Sequence, residues 1–212
     1  MMLREIKGNY DAIFSLGDLC LTSIQLRQHN LRPYAGVLDW MGSPILSDVN
    51  RLLKYRFYDF MDGSHLRVIG YAGDANDNIA VSEDAYHVVS SHDFDIFRNT
   101  LNELNTYHEV KAKFDRRIQR FLHKCATSKR ILFVRTEAEL NDAAELQNVL
   151  SELVTNDFRV LVVNHTGYRG IVDEGWPLEK VCAVRFPYRD KWYGNNHLWA
   201  QLLHGIHYSE NL

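Results

Sequence analysis

The sequence predicts an α/β protein with a mainly parallel sheet and helices on both of its faces. Three observations predict it. Short apolar runs recur at residues 10–16, 130–134, 158–163 and 181–186. The runs are continuous rather than alternating, which suits strands buried on both sides. Longer segments with apolar residues every three or four positions stand among them, the pattern of helices. Such alternation implies parallel strands joined by right-handed crossovers.

The elements follow in order. The strand at 10–16 is closed by Gly17, and a short helix is predicted over 19–29, with Asp18 placed to cap its free N–H groups. Residues 35–40 read as a second strand, adjacent to the first in a β-α-β unit. Ser43-Pro44 opens another helix, Ser as N-cap and Pro at the first helical position. Its residues Ile45, Val49, Leu52 and Leu53 share one face. Residues 61–78 are rich in Gly, Asp and Asn and read as loops around a strand at 66–69; residues 79–91 hold one or two strands. A long helix is predicted over 96–126, with Phe97, Leu101, Leu104, Val110, Phe114, Ile118 and Phe121 as its buried stripe. The strands beginning near Ala12 and Ile131 belong in the sheet interior. Thr136 and Glu139 have capping-box spacing before a helix carrying Leu146, Val149, Leu150, Leu153 and Val154. A last helix covers 198–207.

Composition narrows the class. The chain has 212 residues, 46% hydrophobic and 24% charged, so one globular domain over 1–212 is expected. A net charge of −3 argues against general nucleic-acid binding. Cys20, Cys125 and Cys182 are odd in number and lack C-x-x-C spacing, which points away from disulfides and a structural metal and towards a reducing compartment. Residues 1–10 lack the apolar core of a signal peptide, and no apolar stretch is long enough to span a membrane. A cytoplasmic location is expected, with no cofactor and no metal.

The chemistry gathers around Cys20. The segment from Ile13 to Cys20 reads as strand, glycine turn and helix start. Sites in α/β sheets lie beyond the carboxyl ends of strands, and the free N–H groups of a helix start favour a thiolate. A buried, inert cysteine is the plain alternative. A cysteine nucleophile needs a base. His92, between an apolar run and the long helix, is the leading candidate; His165, after a strand and before Gly167, is its rival. Asp39, beside Trp40 at the end of the second predicted strand, belongs in the same crevice as Gly17 and Cys20. Asp39 or Asp93 is placed to orient the histidine, or Asp93 simply to cap a helix. Gly17, Asp18 and Trp40 would line the substrate crevice. Arg32 and Arg135 flank strand ends and are placed to hold an anionic group or to pair with Asp39 and Glu137. Arg116, Arg117 and Arg120 read as a solvated helix face.

These residues resemble a mostly bacterial family of papain-like cysteine peptidases. The resemblance rests on Ser15-Leu16-Gly17-x-x-Cys20, Arg32 followed by Asp39-Trp40, and His92-Asp93. It continues in Arg116-Arg117-Ile118-x-Arg120-Phe121, Leu132-Phe133-Val134-Arg135, and Trp192, Gly194 and Trp199. It covers nearly the whole chain. The family often has Pro-Phe before Asp-Trp, where this chain has Val37-Leu38. The resemblance implies Cys20 as nucleophile, His92 as base, and a papain-like α+β fold with a cysteine-bearing helix on an antiparallel sheet. The strand directly before Cys20 favours the parallel α/β arrangement instead.

Three functions fit: a cysteine-dependent hydrolase or acyl-transfer enzyme, an enzyme or accessory protein of surface-polysaccharide metabolism, and a non-catalytic α/β binding module. In the second, Asp39, Arg32 and Arg135 matter more than Cys20. A small-molecule, peptide or glycan substrate suits the first two.

Overall fold

The computed structural model describes residues 1–188 and 190–210. Its strands are β1 (Gly8–Tyr10), β2 (Ala12–Ser15), β3 (Met41–Gly42), β4 (Leu66–Ala72), β5 (Asn78–Glu83), β6 (Val88–Ser90), β7 (Arg130–Thr136), β8 (Asp157–Thr166), β9 (Val172–Asp173), β10 (Val181–Pro187) and β11 (Ile206–Tyr208). Its helices are α1 (Leu21–Gln28), α2 (Leu46–Lys54), α3 (Tyr107–Thr127), α4 (Leu140–Leu153) and α5 (Asn196–Leu203).

The principal sheet has the order β2-β7-β8-β10-β9. Its first four strands run parallel, and β9 is antiparallel to β10. Alternate strand residues feed two cores. Phe14, Phe133, Phe158 and Val160 pack with α2, α3 and α4 on one face. Ile13, Leu132, Leu161 and Val184 pack with α1 and α5 on the other, around the fully buried Trp199. That division is the period-2 geometry of a strand with both faces covered. No helix among the described residues is long and apolar enough to cross a membrane.

The sheet is parallel only in part of the molecule. A second, four-stranded sheet in the order β3-β6-β5-β4 is antiparallel throughout, and β1 pairs separately with β11. The predicted strand at 35–40 is an irregular loop. The Gly36 N–H donates to the Asp39 carboxylate at 2.7 Å, and this side-chain turn replaces ladder hydrogen bonds. The expected β-α-β unit is therefore absent. The chain leaves α1 for the antiparallel sheet, so β2 lies at the edge of the principal sheet rather than inside it, while β7 is interior.

Helix ends also differ from expectation for local reasons. Residues 96–106 are turns, not helix. The Asp95 carboxylate accepts from the N–H groups of Phe97 and Arg98, and Asn99 Oδ1 accepts from Thr106 N–H and Oγ1. These local bonds compete with helix formation and leave Phe97 exposed. Asp18 does not cap α1, whose N-cap position is Cys20 itself. Ser43 and Thr136 cap nothing either: α2 begins after Ile45 and α4 after Glu139. The last helix stops at Leu203, before Gly205 at φ +81° turns the chain into β11.

Arg135, at the end of β7, joins the sheets. Its side chain is fully buried. The guanidinium donates to Leu16 O at 2.7 Å, Ser43 O at 2.8 Å, Glu137 O at 3.3 Å and Pro44 O at 3.4 Å. Burial pushes its pKa down to about 10, with Asp18 opposing. It thus ties the end of β2 to the segment that follows β3. Arg135→Met should lower the unfolding free energy by about 2–4 kcal/mol, the cost of charged hydrogen bonds lost and carbonyls left buried. A urea titration reads this as a lower midpoint at similar slope; an unchanged midpoint would show that the clamp holds nothing.

Candidate active site

Cys20 ends the turn that follows β2. Leu16 N–H extends the β7 pairing, donating to Val134 O at 2.8 Å, and Thr136 N–H donates to Gly17 O at 3.2 Å. Gly17 sits at φ +85°, where a Cβ would also collide with Ser43 Oγ. This position requires glycine on both counts. From there Asp18 O accepts Ser43 N–H at 2.7 Å, so the cysteine turn is stitched to the strand that opens the antiparallel sheet.

The antiparallel sheet supplies the histidine. Met41 of β3 pairs with Ser90 of β6. Trp40 precedes the first and His92 follows the second, so the register brings them together. Their rings meet edge-on, with centroids 6.0 Å apart and planes at 77°. His92 Nε2 then lies 3.7 Å from Cys20 Sγ. Two residues 72 positions apart thus meet between the two sheets, Cys20 partly and His92 well exposed.

Neither candidate carboxylate hydrogen-bonds His92 among the described residues. Asp39 is buried, and its Oδ2 accepts from Arg32 Nε at 2.6 Å and Gly36 N–H. Asp93 accepts from Ser90 Oγ at 2.6 Å and pairs with Lys113 at 2.5 Å. Asp39 instead reaches the imidazole through packing. It holds Arg32, whose guanidinium lies 5.5 Å from the Trp40 ring centre, and Trp40 abuts His92. Arg27 lies 5.9 Å from the same ring.

The electrostatics at the thiol depart from expectation. Burial pushes the Cys20 pKa up and the Asp39 carboxylate adds to this, while Cys20's own backbone N–H pulls it down. Asp18 is buried, which raises its carboxyl pKa, with Arg135 opposing. Cys125 and Cys182 are buried and pushed up to about 12.

The other sequence candidates lie elsewhere. Arg135 is fully buried, with its guanidinium on four carbonyl oxygens. His165 belongs to a second crevice, at the ends of β7, β8 and β10. Its Nδ1 lies 2.6 Å from Glu137 Oε1, and its imidazole has no exposed surface. A cavity of about 630 Å³ opens there, lined by residues including Glu137, Asn164, Glu174 and Arg185. Neither Cys20 nor His92 lines it. The thiol–imidazole contact and the cavity are therefore two separate features. Among the described residues, no group of His, Cys, Asp and Glu is arranged to hold a metal ion.

Sequence reasoning missed Ser90 and Lys113 around Asp93, and Arg27. The signal for Arg27 was available: it follows Cys20 by seven positions, two helical turns, and so shares its face.

A family model described as "Putative papain-like cysteine peptidase (DUF1796)" matches residues 11–167. The chain belongs to that family. The match spans Cys20, Asp39, Trp40, His92 and Arg135, and ends before β10 and α5. Comparisons with curated proteins and with solved structures found no match.

The unusual direction of the Cys20 shift gives a test. Asp39→Asn removes a negative charge from beside the thiol, so the pKa of Cys20 should fall and its thiolate fraction at fixed pH should rise. Ultraviolet thiolate absorbance against pH reads this directly. A pKa that rises in the variant would mean that Asp39 acts on Cys20 mainly by holding His92 in place.

Proposed function

We propose that this protein is a cysteine-dependent hydrolase or acyl-transfer enzyme, in which Cys20 attacks a carbonyl carbon and His92 manages the proton. The observation that carries the proposal is the 3.7 Å approach of Cys20 Sγ to His92 Nε2. This is the reach expected of a nucleophile and its base before substrate tightens the contact. Family membership supports the peptidase form of this chemistry.

Burial and Asp39 hold the thiol pKa up, so attack by Cys20 calls for a base. His92 Nε2 therefore accepts the proton as the Sγ–C bond forms. The carbonyl electron pair moves to oxygen, which the free N–H groups at the start of α1 are placed to stabilise. As the tetrahedral species collapses, His92 returns the proton to the leaving amine or alcohol, leaving a thioester on Cys20. Water or another acceptor then attacks the thioester, with His92 again as base. Trp40 takes the orienting role that a carboxylate fills in other cysteine sites: its edge limits the swing of His92, and Arg32, fixed by Asp39, holds its face.

The test uses a panel of fluorogenic peptide and ester substrates. Cys20→Ala should abolish turnover of any substrate accepted, and His92→Ala should reduce it by about 10²–10⁴-fold, both with unchanged unfolding midpoints. Cys125→Ala should leave turnover intact. Turnover that survives in Cys20→Ala would overturn the assignment.

A further inference from the structure

Two buried polar atoms without a hydrogen-bond partner among the described residues face each other in the antiparallel sheet: Glu83 Oε1 and His65 Nδ1. They stand 3.5 Å apart, and the Glu83 side chain is fully buried while that of His65 is 33% exposed. Leaving both unpaired is costly, and an uncompensated buried carboxylate is costlier still. A neutral imidazole can offer an N–H to the carboxylate. Only the imidazolium also neutralises it, in a charge-assisted hydrogen bond.

The other charges around Glu83 are already committed. Arg51 of α2 donates to Asp48 Oδ1 at 2.8 Å and to Ala85 O at 2.6 Å, and lies 4.8 Å from the Tyr86 ring centre. Asp48 also takes His87. Asp84, next to Glu83, takes Arg67 and the Ser82 hydroxyl. Asp62, on the chain before His65, accepts from Ser64. The second Glu83 oxygen accepts Tyr86 N–H at 2.8 Å. Burial pushes the Glu83 carboxyl pKa up; Tyr86 N–H, His65 and Arg51 oppose this, and Asp84 adds to it.

The contact sits where strands meet. Glu83 of β5 pairs with Leu66 of β4 on one side and Val88 of β6 on the other. Asp84 N–H donates to His65 O at 2.9 Å, which brings the 3-10 turn Gly63–His65 against the β5–β6 turn. β6 ends two residues before His92.

We infer that His65 and Glu83 form a proton-operated latch between the Gly63–His65 turn and the β5–β6 turn, closed when His65 is charged and loosened when it is neutral. A proton held more tightly by the folded state stabilises in acid, and that stability is lost as pH rises, here across the imidazole range of about pH 5–8. The latch requires nothing of the thiol chemistry.

Hydrogen exchange of the full chain tests the latch at the Tyr86 amide, which donates to Glu83. Its protection factor should fall about ten-fold or more from about pH 5.5 to about pH 8, since a hydrogen bond between charged groups is an effect of at least that size. Glu83→Gln keeps the shape and removes the charge; His65→Gln removes the titrating ring. Each should flatten the profile, and Asp84→Asn should leave the fall in place. The partly exposed His65→Gln variant decides the matter should Glu83→Gln fail to fold. A wild-type protection factor that does not fall with pH, or a fall that persists in either flattening variant, would overturn the inference. Loss of the fall in Asp84→Asn would overturn it too, by assigning the effect to the neighbouring carboxylate.

Discussion

The candidate site depends on one buried guanidinium. Arg135 stands at the end of an interior strand and donates to four carbonyl oxygens, two from the turn regions of the principal sheet and two from the segment after β3. A buried cation is expensive to desolvate, and here carbonyl dipoles rather than a carboxylate repay that cost. The result is geometric. Leu16 and Ser43, far apart in sequence, are held against one side chain, so the turn that carries Cys20 keeps its position relative to the antiparallel sheet. Gly17 and the Ser43–Asp18 hydrogen bond complete the joint.

The second sheet then does what a single parallel sheet could not. Its β3–β6 register places Trp40 beside His92, and the joint places both beside Cys20. Cys20 comes from a strand-to-helix turn of the principal sheet and His92 from the end of β6 in the antiparallel sheet. The pair therefore forms only where the two sheets meet. This arrangement leaves the crevice at the ends of β7, β8 and β10, with His165 and Glu137, as a separate feature of the fold. It also explains why the acids of the Asp39-Trp40 and His92-Asp93 pairs point away from the imidazole: each is occupied by the cation that locks its own segment, Arg32 or Lys113.

Much of the principal sheet was legible in the sequence, because continuous apolar runs such as those in β7, β8 and β10 have few alternatives to burial. The two-sided core followed from the same pattern. The antiparallel sheet was less legible. Its strands are short, and the loop at 35–40 has a strand-like composition but turns through the Asp39 side chain. Residues 96–106 carry helical periodicity yet are diverted by Asp95, Asn99 and Thr100. Cys20 was legible as a residue at a strand-to-helix junction and His92 as one that follows a strand, and their approach is a tertiary fact that no local pattern encodes. The burial of Arg135 was not legible, since a charged residue at a strand end carries no local sign of it. At the thiol, burial and the Asp39 carboxylate push the pKa up, against the direction expected of a helix start.

Coupling between Cys20 and His92 would show in the pH dependence of Cys20 alkylation by neutral iodoacetamide. If the imidazole and the thiol interact, the rate against pH should rise in two steps in the wild-type protein, and His92→Ala should remove the lower step while retaining the upper one. A single step, superimposable in wild type and His92→Ala, would show that the sulfur is indifferent to the histidine beside it and would contradict the account.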